Sequence, residues 1–310
     1  LNDPTAPAAP PVAALPAARR HALRHHLVTE IRRPARRSRR TLVLVPAVVL
    51  AVALTAGVVV QALSPVSAPL VVTVAQGDHG GAMLLLQQMA AAAAGEPDLP
   101  AGGGEYLYVK SQVAYSEVGD GPARLQPVHV REIWIPLLHR GDGQVRQPFY
   151  DLPLLGAIPT TRKLPDMTPN AQIVDLPADP DELLAKLYRE RAGQGNNPQA
   201  EAFTAIGDVL HESLVPPQIR AALYRAAAKI PGVEVVRGVT DAAGRPGIAV
   251  AHTDRNWRHE WIFDERTFDY LGERSYLVKD TPDGPAGTVL GTSAVTQRAV
   301  VPSLGARPKR

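Results

Sequence analysis

NWRHEWIFDERTFDYLGERSYLVKD, from Asn256 to Asp280, sorts its residues two by two. Read as a strand, Trp257, His259, Trp261 and Phe263 share one face and Arg258, Glu260 and Ile262 the other. Glu265–Thr267 reads as a turn, and the run beyond it carries Phe268 and Tyr270, with Tyr276 further along. Two strands joined by so short a turn pair antiparallel. Their aromatic side chains predict a cross-strand cluster, with Trp134 of REIWIPL as a further candidate member. Two indoles on one strand face either stack in a core or line a ligand pocket, and core is the commoner outcome. Neither His259 nor His252, on the strand before it, has a spacing that marks a catalytic base.

The alternation extends in both directions. Upstream, VEVVRGV and IAVAHT flank a turn at DAAGRPG, and downstream GTVLGTSAVTQRAVV reads as a last strand. Earlier in the chain YLYVKSQVAYSEV, PVHVREIWIPL and GQVRQPFYDL read as three antiparallel strands, with turns at GDGP and HRGDG. Between the two strand groups lie three helices. DPDELLAKLYRERAG has Asp179 or Asp181 as its cap and Gly193 at its end. NPQAEAFTAIGDVLHESL and PPQIRAALYRAAAKIPG form a pair joined at Pro216–Pro217, with Gly232 as the stop. A fourth helix, AMLLLQQMAAAAAG, precedes the strands, with Met83, Leu86 and Met89 on its apolar face and Gly95 closing it. GDHGG before it reads as a chain break. The class is α+β: an antiparallel sheet with a three-helix insertion over residues 105–301, a juxtamembrane helix and linker over 64–104, and a tail over 302–310.

Ahead of this domain the texture changes. Residues 1–18 are two-thirds Ala and Pro with no periodic apolar face, the composition of a disordered tail. Arg19–Arg40 holds nine arginines against one acid, Glu30; Leu23, Leu27 and Ile31 suit a short basic helix that Pro34 stops. Thr41–Leu63 is a run of 23 residues without a charge. At about 1.5 Å per residue it reaches across a hydrocarbon core of about 30 Å. SRRTLVL at Ser38–Leu44 resembles a twin-arginine export signal. The apolar run is nevertheless longer than a signal core, and Pro69 follows the nearest small-residue site. The reading is therefore a signal-anchor, with residues 1–40 cytoplasmic by the positive-inside rule and 64–310 outside. Its expected partners are the bilayer through Thr41–Leu63 and anionic lipid head groups through Arg19–Arg40.

Charge and composition exclude several functions. The chain has 310 residues and a net charge of +3. The +8 of the arginine segment leaves residues 64–310 slightly acidic, so a nucleic-acid partner is not expected. No cysteine is present, which removes disulfides, thiol catalysis and cysteine zinc sites. No Gly-x-Ser-x-Gly, Ser-x-x-Lys, phosphate-loop, dinucleotide or His-Glu-x-x-His motif occurs. HES at His211–Ser213 is a fragment of the last, and His211 reads as a partly exposed residue favoured by the helix C-terminus. No catalytic, cofactor-binding or metal-binding residue is assigned.

The basic segment, the single span, EYLYVKSQV, REIWIPL, LPADPDELLAKLYRE, AFTAIGDVLHESLVPPQIRAALYRAAAKIPGVEVV and EWIFDERTFDYLGERSYLV, followed by GTVLGTSAV, occur in that order. Together they resemble an actinobacterial family of uncharacterised single-pass membrane proteins named only after a locus tag. The resemblance implies a cytoplasmic N-terminus, one span and an extracytoplasmic domain. Members resemble neighbours of membrane regulators linked to extracytoplasmic-function sigma factors, and the family brings no catalytic residues to transfer. The expected function is a non-enzymatic ligand-, lipid- or envelope-binding or sensing module. One alternative is a sigma-factor regulator acting through a cytoplasmic protein partner of residues 1–40, and another is a secreted hydrolase. A zinc anti-sigma factor is excluded by the missing cysteines.

Overall fold

The computed structural model describes residues 70–97, 104–117, 122–149, 158–167, 173, 175–191 and 197–309. Arg19–Arg40, Thr41–Leu63 and Gly193 lie outside these residues. Among the described residues no helix is long and apolar enough to cross a membrane.

The chain runs α1 (His79–Ala94), β1 (Tyr106–Glu117), β2 (Arg124–Leu125), β3 (His129–Pro136), β4 (Gly141–Phe149) and β5 (Ile158–Met167). Three helices follow, α2 (Pro180–Arg191), α3 (Pro198–Glu212) and α4 (Pro217–Ala227). Five strands complete it: β6 (Val233–Thr240), β7 (Pro246–Asp254), β8 (Trp257–Phe263), β9 (Tyr270–Leu277) and β10 (Val289–Val301). The fold is α+β, with one large antiparallel sheet in the order β5-β4-β3-β1-β10-β9-β8-β7-β6 and β2 paired to β1 off that path. The opening stretch forms β8 and β9, paired from Trp257↔Leu277 to Phe263↔Tyr270. The two strand groups become one sheet because β10 returns to pair along β1, Tyr106↔Val301 through Tyr115↔Gly291.

Sequence reading missed β5, whose Pro159 and Pro165 argue against a strand. It survives as the sheet's edge, where a missing N–H costs no ladder bond. The break assigned to GDHGG is instead a helix start: Asp78 Oδ1 accepts from Gly81 N at 3.0 Å. α1 therefore begins earlier than its apolar run, and its buried face is Ala82, Leu85, Leu86, Met89, Ala90 and Ala93. Met83, placed on that face from sequence, is 48% exposed. Asp179, not Asp181, caps α2, accepting from Asp181 N and Glu182 N at 2.9 Å.

All four helices pack on one face of the sheet in a common core with Val233, Val235, Ile248, Val250, Trp261 and Phe263. Trp261 stacks on Phe203 of α3, ring centroids 3.8 Å apart and 8° from parallel, so its stacking partner is a phenyl ring and not a second indole. A Cβ on Gly207 would collide with the indole Nε1, so α3 needs glycine there to approach. Burying side chains of this size contributes about 1.5–3 kcal/mol each.

The expected aromatic cluster is smaller than predicted. Phe263 and Tyr270 meet edge-on at 5.5 Å, while Trp134 and Tyr276 belong to the other face of the sheet. Trp134 packs with Tyr108 and Val301 under Leu304 and Ala306, and its Nε1 donates to Ala306 O at 2.5 Å. Tyr276 donates to Glu260 Oε1 at 2.8 Å, and Arg274 grips Glu260 Oε2 through Nε at 3.0 Å and Nη2 at 2.6 Å. The face of Arg258, Glu260 and Ile262 thus holds a fully buried carboxylate whose two oxygens are both answered.

Candidate functional site

The last turn of α3 ties the helix layer to three strands. Arg131 Nη1 of β3 donates to Glu212, and His211 Nδ1 lies 3.4 Å from Glu273 Oε1 of β9. Arg298 Nη2 of β10 donates to the carbonyls of Leu210 and His211, each at 2.8 Å. These carbonyls lie at the helix end that lacks intrahelical donors and carries partial negative charge. His211, expected partly exposed, is 2% exposed, because Glu273 lies across from it on the sheet. Burial alone lowers the pKa of Arg131, but Glu212 and Tyr115 outweigh it and the net shift is upward.

Beside this hub is a cleft of about 260 Å³. Its walls are the C-terminal ends of α1 and α3, the start of α4, the 264–269 turn, Tyr270 and β10. The turn is fixed by Asp264, whose Oδ1 accepts from Arg266 N and Thr267 N at 2.9 Å. These bonds hold the Asp264 carboxyl below its ordinary pKa. Next to them Phe268 adopts φ +61°, a conformation bulky residues rarely accept, and so presents its ring to the cleft.

The polar groups of the wall are not all answered. Among the described residues the Tyr270 hydroxyl is buried with no hydrogen-bond partner, as is Nε of Arg220. Burial pushes the Tyr270 phenol well above its usual range, and Tyr224 shifts the same way for the same reason. Arg298 has open surface, yet desolvation lowers its pKa. The two facts agree if its surface opens into a walled cleft rather than to bulk water. The neighbouring Arg220 guanidinium pushes the Arg298 pKa the same way.

Arg298 faces the cleft because of a β-bulge. β1 pairs Lys110 with Gln297 but Ser111 with Val295, leaving Thr296 as the extra residue of β10. Thr296 Oγ1 donates to Lys110 O at 3.0 Å at that point. Strict alternation would put Gln297 on the face of Val295; the bulge brings Arg298 there instead, opposite the buried Val109. Bulges commonly re-aim a side chain next to a site.

The other histidines and indoles fall elsewhere. His252 is buried against Phe203 at 5.5 Å, and that burial lowers its pKa. His259 and Trp257 are half-buried on β8, and neither lines the cleft. Among the described residues no three His, Asp or Glu side chains are grouped to hold a metal ion. Sequence reading missed Arg220, Tyr224 and Arg298. The one local signal was an arginine inside an otherwise apolar strand end, QRAVV. No protein-family model matches the chain, and no curated protein matches it.

Proposed function

We propose that the chain is a single-pass membrane protein whose extracytoplasmic α+β domain binds a small ligand without catalysing a reaction on it. The observation that carries this reading is the cleft of about 260 Å³ at the end of α3, walled by Tyr224, Phe268, Tyr270 and Arg298. The anchor is Thr41–Leu63, with the arginines of Arg19–Arg40 holding residues 1–40 in the cytoplasm. The resemblance to the actinobacterial single-pass family supports the same arrangement.

The test uses the full chain extracted in mild detergent. Solvent extraction and mass spectrometry should recover a co-purifying small molecule that a cleft-filling Leu214→Trp variant lacks. An export-dependent reporter fused after Gly104 should be active. Turnover of ester, peptide or glycan substrates by the purified chain would defeat the non-enzymatic reading, and an inactive reporter the membrane arrangement.

A further inference from the structure

Resting on the single-pass reading, we infer that the end of the domain nearest the anchor docks on the outer face of the bilayer. The docking surface is Leu70, Val71 and Val74 of the entering segment together with Met83 and Leu84 of α1. Exposed apolar bulk is unevenly spread over this protein. Among the described residues eight large apolar side chains are exposed, and five of them fall between Leu70 and Leu84. None of the eight lies beyond Leu138. Exposed apolar surface gathered in one place marks an interaction site.

The entering segment is fixed to the domain. Val289 N donates to Leu70 O at 2.9 Å, and Val72 N to Gly287 O at 2.9 Å. Glycine is needed at 287, because a Cβ there would collide with Val72 O. Further on, Arg258 Nη1 donates to Ala75 O at 2.6 Å, and Asp78 exchanges both backbone bonds with Val235 at 3.0 Å. The segment therefore crosses the end of the sheet where β6, β8 and β10 start and β7 and β9 finish. α1 starts at that same end, and its 16 residues cover about 24 Å. The core takes its face of Ala82, Leu85, Leu86 and Met89, which leaves Met83 and Leu84 outside. The cleft is lined by Met89, Ala92 and Ala93 from the other end of α1, so docking leaves it at the end of the domain away from lipid.

The occupant follows from where the chain comes from. Seven residue steps separate Leu63, the end of the span, from Leu70, and they cover at most about 25 Å. A tether this short gives the patch an effective concentration at the bilayer on the order of millimolar, so a weak intrinsic attraction suffices. Charge contributes little, because Arg255 and Lys279 share this end of the sheet with Asp254, Asp280 and Asp283. The contact is instead apolar, and side chains of this kind settle about 5–10 Å into the boundary between head groups and acyl chains.

The chain has no cysteine, so a single introduced one carries a fluorophore at a known place. Leu54→Cys, Val74→Cys, Leu84→Cys and Glu265→Cys are labelled one at a time in the full chain in nanodiscs. Glu265 is the reference, exposed on the 264–269 turn at the far end of the sheet. Brominated lipid and aqueous iodide are the two quenchers. Lipid should quench the Val74→Cys and Leu84→Cys labels at least about threefold more than the Glu265→Cys label, and iodide should quench them less. Adding Met83→Glu and Leu84→Glu should lower lipid quenching of the Val74→Cys label about twofold or more. Both side chains are exposed, so the urea midpoint should stay where it is. Lipid quenching at Leu54→Cys with none at Val74→Cys or Leu84→Cys would overturn the docking and leave the anchor standing. Protection from iodide without lipid quenching would put a second copy of the chain on this surface, and the docking would fall. Absence of lipid quenching at Leu54→Cys would bring down the single-pass reading itself.

Discussion

Replacing Tyr270 by Phe should make this protein more stable, although the substitution only deletes atoms. The hydroxyl is buried, and among the described residues no group bonds it. Mutational data put the cost of such a hydroxyl at about 1–3 kcal/mol. The ring contacts survive the change: Phe263 edge-on at 5.5 Å and His211 at 5.9 Å touch the aromatic system, not the oxygen. The void left by one oxygen offsets some of the gain, so about 1 kcal/mol is expected, or about 2–4 °C in Tm for a domain of this size. Urea unfolding of the full chain in detergent, followed by tryptophan fluorescence, reports it. Trp261 is 2% exposed in the core that Tyr270 packs against, so its emission follows loss of that core. The midpoint should rise at constant slope. A loss of about 1 kcal/mol or more would show that the hydroxyl has a partner within the fold, and the unanswered-donor account of the cleft would fall with it.

Two further outcomes concern the opposite face of the sheet. Glu260→Ala strands Arg274 and the Tyr276 hydroxyl in a buried setting and should cost about 3–5 kcal/mol, whereas Glu260→Leu with Arg274→Met should cost clearly less, because no buried charge is left alone. Additive losses in a urea double-mutant cycle would contradict that coupling. The second is a pH effect at Glu132. Burial alone would raise its pKa, but hydrogen bonds from Arg307 and Tyr108 and the charges of Arg307 and Arg146 take it below the ordinary carboxylate range. A carboxyl depressed in the folded state stabilises the fold above its unfolded pKa, and that contribution disappears as pH falls through the folded value. Stability should therefore hold from neutral pH down to the carboxylate range and decline below it. Arg307→Gln should lose this component already at neutral pH and show a shallower acid decline. Arg307 is half-exposed, so the effect at neutral pH should stay within about 1 kcal/mol. An unchanged acid profile in urea midpoints would refute it.

Local signals in the sequence determined the elements. Period-two runs marked β1, β3, β4 and β6–β10, because a strand sends alternate residues to opposite faces whatever it pairs with. The Pro216–Pro217 pair marked the junction of α3 and α4, because proline acts on the helix it starts. Periodicity could not assign a face once a helix started earlier than its apolar run, as α1 does at His79, nor recognise β5, whose prolines an edge position alone tolerates. The cleft was beyond local reading altogether. It depends on β10 returning to pair with β1, on His211 meeting Glu273 across the layer, and on one extra residue, Thr296, in that pairing. A bulge exists only relative to a partner strand far away in the chain. Alternation in β10 alone points Arg298 away from the cleft, and pairing with β1 turns it in.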